Sequence, residues 1–239
     1  IGKIAHKPVD SMMKTWIDQV GYPIVVVKRD NSKISLTQKR CMSDGRRGSK
    51  NKWSIPIQIE EGNHENSILM KSRSSSVSLK NKDSNFIINS GRYGFYRVQY
   101  DDHSLENLSL LIDAKILKQV LGWSLQNDLF SQCISGIKQL QEYLDFTTSY
   151  HDEDDYITRL NLAQNLYYLY KLTIKEKFSD EIRAYTVQFL GTIFVRIGWD
   201  SKKMYILFVC HTYQRFTLTS RKKLCFQQLF ETDCWDCWK

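Results

Sequence analysis

Asn89-Ser90-Gly91-Arg92-Tyr93-Gly94-Phe95-Tyr96-Arg97-Val98-Gln99-Tyr100-Asp101 is the stretch on which the fold turns. Upstream of it, apolar residues recur with a period of two. Downstream they recur at helical spacing. The chain therefore reads as strands first and helices second, with this segment as the joint.

Working upstream, Tyr22–Lys28 carries a Val25-Val26-Val27 run typical of a buried strand. Ile34 and Leu36 alternate with polar residues, as do Trp53, Ile55, Ile57 and Ile59. Ile68–Met70, Val77–Leu79, Phe86–Ile88 and Phe95–Tyr100 complete the series. Turn-forming residues separate them: Asp30-Asn31, Ser43-Asp44-Gly45, Glu61-Gly62-Asn63, Asn81-Lys82-Asp83 and Ser90-Gly91. About seven short strands at ~8–12-residue spacing predict a small antiparallel β-sandwich. Pro56 inside a strand predicts an edge or a bulge there. Residues 10–20 read as a short helix capped by Asp10 and stopped by Gly21. Its face is Met13, Trp16, Ile17 and Val20, which call for a neighbour on the N-terminal side.

Downstream, Ser104 is the expected cap of a helix with Leu105, Leu108, Leu111, Ile112 and Ile116. A second helix is expected from Ser124 to about Leu144, its stripe being Leu125, Leu129, Cys133, Ile137, Leu140 and Leu144. Asp152-Glu153-Asp154-Asp155 suits the positive end of a third helix burying Ile157, Leu160, Ala163, Leu166, Tyr167 and Tyr170. A fourth spans Asp180 to Ile197. Short links make these antiparallel neighbours. Tyr167, Tyr168 and Tyr170 read as helix packing rather than a base-stacking platform.

Composition narrows the function classes. Among 239 residues, 42% are hydrophobic and 25% charged, a globular balance. No apolar run reaches the ~18 residues that span a bilayer, so no membrane partner is expected. The net charge is +8, but residues 201–239 hold seven Lys/Arg against three Asp/Glu, half of the excess in the last sixth of the chain. The clusters Arg46-Arg47 with Lys50 and Lys52, and Arg221-Lys222-Lys223, are short. They read as solvated loops in preference to a nucleic-acid surface. Only Cys41 and Cys133 of six cysteines precede position 200, a usage that points to a reducing, cytoplasmic setting. Ile1 is not an initiator Met, and the chain reads as a piece of something longer.

Five ordered segments then resemble the gluzincin zinc aminopeptidases of the aminopeptidase N type. Trp16-Ile17-Asp18-Gln19-Val20-Gly21-Tyr22-Pro23-Ile24-Val25 resembles the end of their catalytic domain and the start of their β-sandwich. Leu36-Thr37-Gln38-Lys39-Arg40 and Trp53-Ser54-Ile55-Pro56-Ile57 resemble the strands that follow. Gly94–Asp101 is the best match, with Gln99 where Asn is usual. Asn127-Asp128-Leu129-Phe130-Ser131 resembles an early helix of the C-terminal domain. The matches cover roughly 12–200, and the archaeal tricorn-interacting aminopeptidases are the similar branch.

The resemblance implies four regions: a tail helix of a missing catalytic domain (1–21), a β-sandwich (22–100), a truncated α-helical domain of superhelical type (101–200) and an atypical tail (201–239). In the family the zinc ligands, the general-base Glu, the amine-binding Gly-x-Met-Glu-Asn and the transition-state Tyr all lie upstream, and none has a matching position here. The chain contains no His-Glu-x-x-His. His64-Glu65 continues as Asn66-Ser67-Ile68 and is expected in a loop. His151-Asp152-Glu153 reads as a solvated helix start. No catalytic, cofactor-binding or metal-ligating residue is therefore assigned, zinc belonging to the absent catalytic domain. The expected role is that of a non-catalytic part that shapes peptide access once a separate catalytic segment joins it. A free-standing protein or peptide interaction module is the alternative.

After Gly198-Trp199-Asp200 the resemblance stops. Cys234-Trp235-Asp236-Cys237 invites three readings: a redox motif without its βαβ setting, half a zinc site with Cys225 and His211, or sequence out of frame beyond about 203. The third is preferred.

Overall fold

The computed structural model describes residues 9–42 and 50–197. It is a mixed β+α fold of two small sheets and, among the described residues, six α-helices. The basic cluster at Arg46-Arg47 and every reading of the tail beyond 200 lie outside the described residues.

The chain divides into two compact units, one through Tyr150 and one from His151. In the first unit, α1 (Val9–Ile17) precedes seven strands. These are β1 (Pro23–Asp30), β2 (Lys33–Arg40), β3 (Ile55–Glu61), β4 (His64–Met70), β5 (Ser74–Ser78), β6 (Phe86–Ile88) and β7 (Arg97–Gln99). Helices α2 (Asp102–Asp113), α3 (Gln119–Ile134) and α4 (Leu140–Thr147) follow, with a 3₁₀ turn at Thr148–Tyr150.

One sheet has the order β5-β2-β1-β7, the other β4-β3-β6. Alternation decides what is buried. Val25 and Val27 of β1 lie opposite Gln38 and Leu36 of β2, and all four are fully enclosed. Ile55, Ile57 and Ile59 do the same for β3. Two side chains tie the sheets together. The Gln38 carboxamide accepts from Trp53 N (2.7 Å) and donates to Trp53 O and Ser72 O (both 2.9 Å). The Tyr100 hydroxyl, just beyond β7, accepts from Ile88 N of β6 (2.8 Å).

Several expectations need correction. The strands are not all antiparallel: β7 runs parallel to β1, pairing Val98 with Val25. Pro56 is in the central strand of its sheet, not at an edge. Its missing N–H costs nothing because β6 is only three residues long and pairs with Ile59–Glu61, ending before Pro56. His64-Glu65 opens strand β4 instead of lying in a loop.

The apolar face expected for α1 is split. Trp16 and Thr15 turn inward: Trp16 Nε1 donates to Ser54 O (3.0 Å), and Thr15 Oγ1 accepts from Ser54 N (3.0 Å). Met13, Ile17 and Val20 remain exposed. Asp10 lies in the first turn of α1.

Asp101, not Ser104, caps α2: its carboxylate accepts from Ser104 N (2.8 Å). The single helix expected from Ser124 to Leu144 is two, α3 and α4. The chain turns at Gly136 in the left-handed region (φ +68°), where Ile137 N bonds Gln132 O (2.8 Å) in a Schellman-type stop.

In the second unit, α5 (Tyr156–Thr173) and α6 (Ser179–Ile197) form a packed pair. Asp155 caps α5 through Thr158 N, so the acidic run serves the helix start. Leu162, Ala163, Leu166 and Leu169 of α5 and Ile182, Phe189 and Leu190 of α6 are buried. Ile157, expected inside, is 60% exposed.

Candidate functional site

The joint between strands and helices is a densely bonded polar region among the described residues of the first unit, and Asp128 is its centre. Asp128 sits on α3 in the spacing Leu121, Leu125, Asp128, Gln132, so a carboxylate occupies a position on an apolar stripe. Its side chain is 5% exposed.

Four donors converge on it. Arg92 Nη1 reaches Oδ2 at 2.9 Å and Arg92 Nη2 reaches Oδ1 at 3.2 Å. Arg97 Nη1 lies 2.9 Å from Oδ1, and Val98 N donates to Oδ2 at 2.9 Å. One helical turn on, Gln132 Nε2 donates to Val98 O at 3.1 Å. The outer edge of β7 is therefore closed by two side chains of a helix, which prevents further strand addition there.

The rest of Asn89–Asp101 is consumed in holding this arrangement. Asn89, at φ +60°, folds its carboxamide onto the backbone of Gly94, accepting from its N–H (3.0 Å) and donating to its C=O (2.9 Å). Arg92 also has positive φ (+54°), a strained conformation for a long side chain that the bidentate bond to Asp128 holds in place. Gly94 admits no side chain: a Cβ there would stand 2.1 Å from Cε1 of the buried Tyr96 ring.

Arg97 also reaches Asn127 Oδ1 (2.9 Å) and Tyr22 Oη (3.2 Å). Burial alone would lower the Arg97 pKa, but the Asp128 charge and the Tyr22 hydroxyl outweigh it and hold the guanidinium protonated. Asp101 Oδ2 accepts from Arg29 N (2.6 Å), joining the helix cap to the end of β1. Burial drives the Tyr96 and Tyr100 phenols far above their usual range, so neither ionises near neutrality.

Two side chains of the segment escape these duties. Tyr93 is 84% and Phe95 72% exposed. Phe95 leans on Tyr22 (5.3 Å between ring centroids). Tyr93 lines an open groove of about 480 Å³ with Gln58, Glu65, Ser67, Gly91 and Lys118.

A catalytic constellation is a different matter. Among the described residues, no three His, Cys, Asp or Glu side chains gather to hold a metal ion, so these residues supply no donor set for zinc. His64, His103 and His151 are all exposed and lie far apart in sequence. Cys41 and Cys133 carry free thiols, and burial pushes Cys133 up to about 11, which leaves it protonated and a poor nucleophile. Among the described residues, no helix is long and apolar enough to cross a membrane.

The five segments that carried the resemblance thus meet through side chains: Trp16 with Ser54, Gln38 with Trp53, Tyr22 with Arg97, Arg97 with Asp128. The family model described as the ERAP1-like C-terminal domain matches residues 85–208, from just before β6 through the helices. The chain belongs to the ERAP1-like C-terminal domain family.

Curated relatives agree. The chain is 31% identical over 187 residues to "Probable aminopeptidase 2" of Sulfurisphaera tokodaii, covering 78% of this chain and 23% of that protein. It is 30% identical over 203 residues to "Tricorn protease-interacting factor F2" of Thermoplasma acidophilum, covering 85% and 24%. Aminopeptidase M1 of Arabidopsis thaliana shares 26% over 216 residues, covering 82% and 24%. The chain spans about a quarter of the length of the relatives it matches. In this member of the ERAP1-like C-terminal domain family, the matched strand–helix joint is a structural hub.

The sequence carries a signal for that hub. A lone carboxylate on the apolar stripe of α3, together with two arginines in a strand-forming segment, calls for a buried pairing.

Proposed function

We propose that this chain is a non-catalytic part of a zinc-dependent aminopeptidase, removing no residues by itself and shaping peptide access when joined to a catalytic segment. The observation that carries the reading is the Arg92–Asp128–Arg97 hub. The residues that mark the aminopeptidase resemblance are spent on locking strands to helices, leaving no nucleophile, base or metal ligand among them. The family match and the aminopeptidase relatives support the substrate class, peptides with a free N-terminus. A rigid hub suits a spacer that must hold a helical wall at fixed distance from a cleft. The setting would be cytoplasmic.

Hydrolysis of aminoacyl-p-nitroanilides tests it. The purified chain with added zinc should show no turnover, and mixing with a separately expressed catalytic segment from an aminopeptidase relative should change that segment's preference for peptide length. Chelator-sensitive turnover by the chain alone would overturn the reading. The alternative of a free-standing interaction module is supported by the groove beside Tyr93, which needs no enzyme to be useful.

A further inference from the structure

Strand β4 is the outer strand of its sheet and, among the described residues, pairs only with β3. Gly62 (φ +58°) and Asn63 form a two-residue turn, so Glu61 and His64 are a hydrogen-bonded pair. Alternation then directs the backbone N–H and C=O of Glu65, Ser67 and Leu69 away from β3. Residues from His64 to Ser67 are exposed, β4 itself contains no Pro or Lys, and among the described residues no side chain bonds to its outer edge, in contrast to β7.

The side chains beside that edge favour one kind of visitor. Glu60 and Glu65 lie directly opposite each other across β3 and β4, a like-charge pair that destabilises a sheet unless a cation answers it. Lys118 Nζ, 3.7 Å from Glu60 Oε2, answers the Glu60 charge, and among the described residues no cation pairs with Glu65. Glu65 and the Tyr93 ring both line the groove. The ring is held over Gly91, where a Cβ would lie 2.2 Å from Tyr93 Cε2, and its outward face is open. A carboxylate pair and an exposed aromatic face both attract a cation.

We propose that β4 docks an extended segment of a protein partner bearing a Lys or Arg side chain. The segment adds to the β4-β3-β6 sheet as a further strand, and its cation enters the groove lined by Glu65 and Tyr93. The inference stands apart from the aminopeptidase reading: it needs neither zinc nor a catalytic segment.

The test uses the full chain and blocked seven-residue peptides of alternating Thr/Lys, Thr/Glu and Thr/Ser, with binding read by fluorescence anisotropy and amide exchange. The Thr/Lys peptide should bind saturably and slow exchange at Glu65, Ser67 and Leu69. Tyr93→Ala should weaken it about threefold, the worth of an exposed cation–π contact. Glu65→Lys should remove saturable binding. Both positions are exposed, so both variants should keep the native circular dichroism.

Methylating alternate amide nitrogens of the Thr/Lys peptide should also abolish binding. Equal binding of the Thr/Ser or the methylated peptide, or protection confined to another strand, would overturn the proposal. So would a Glu65-dependent dimer in sedimentation, which would make a second copy of the chain the occupant.

Discussion

Replacing Asp128 by Ala should loosen the whole first unit. The substitution leaves Val98 N without an acceptor inside the protein, worth about 1–3 kcal/mol. It also strips two guanidinium groups of their counter-charge. A buried pair broken this way costs about 3–5 kcal/mol, but Arg92 and Arg97 remain about a fifth exposed and regain water. The total should be about 3 kcal/mol, a large part of the roughly 5–15 kcal/mol that holds a domain together.

For a urea m-value of about 2 kcal/mol/M, the midpoint should fall by about 1.5 M. Circular dichroism follows the transition, and amide exchange reports Val98 directly. Arg92→Ala combined with Asp128→Ala should cost less than the two singles added, because the orphaned guanidinium is gone. A midpoint shift below about 0.3 M, with unchanged exchange at Val98, would refute the hub.

Three further outcomes are expected. Gly94→Ala should destabilise by about 2–3 kcal/mol in the same melts, since the buried Tyr96 ring has no room to withdraw from the new methyl; a neutral result would show that the turn can re-form. For Glu61, burial would raise the pKa, but bonds from Lys80 N, Ser84 Oγ and Asn81 N hold it low. A depressed carboxylate pKa stabilises above the unfolded value of about 4.3 and is lost as pH falls through the folded one. Glu61→Gln should therefore be less stable than the parent at pH 6 and nearly equal to it at the acid end of a pH series of melts. Cys133, with its thiol pushed up to about 11, should resist iodoacetamide at pH 8 and label only as pH approaches that value, as read by peptide mass mapping; fast labelling at pH 7.5 would contradict its burial.

Much of this fold was legible because apolar alternation and burial coincide. Val25/Val27, Ile34/Leu36 and Ile55/Ile57/Ile59 announced their strands, and the structure buries each of them. What stayed hidden depends on long-range or polar information. The parallel pairing of β7 with β1 joins three-residue segments more than 70 positions apart, which no local period encodes. The division of α3 from α4 was masked because Leu125–Leu144 keeps a helical stripe across the break, while the left-handed Gly136 sets the stop.

The hub escaped because α3 buries Ser124, Gln126, Asp128 and Gln132 beside its leucines. A search for apolar faces passes over such positions. The groove escaped for a different reason: its walls come from β3, β4, the Ser90–Tyr93 turn and the start of α3, which only tertiary folding brings together.

The closure of β7 by Asp128 and Gln132 bears on how such a chain can be divided, in the laboratory or by gene rearrangement. A cut at Asp101, where strands give way to helices, would sever a carboxylate from the two arginines it serves. It would also bare a strand edge on one half and leave an apolar helix face with an unpaired carboxylate exposed on the other. Neither half would inherit a finished surface. Shuffling and expression boundaries should therefore survive beyond Tyr150, after the helices that complete the sheet, and fail at the visible change of secondary structure.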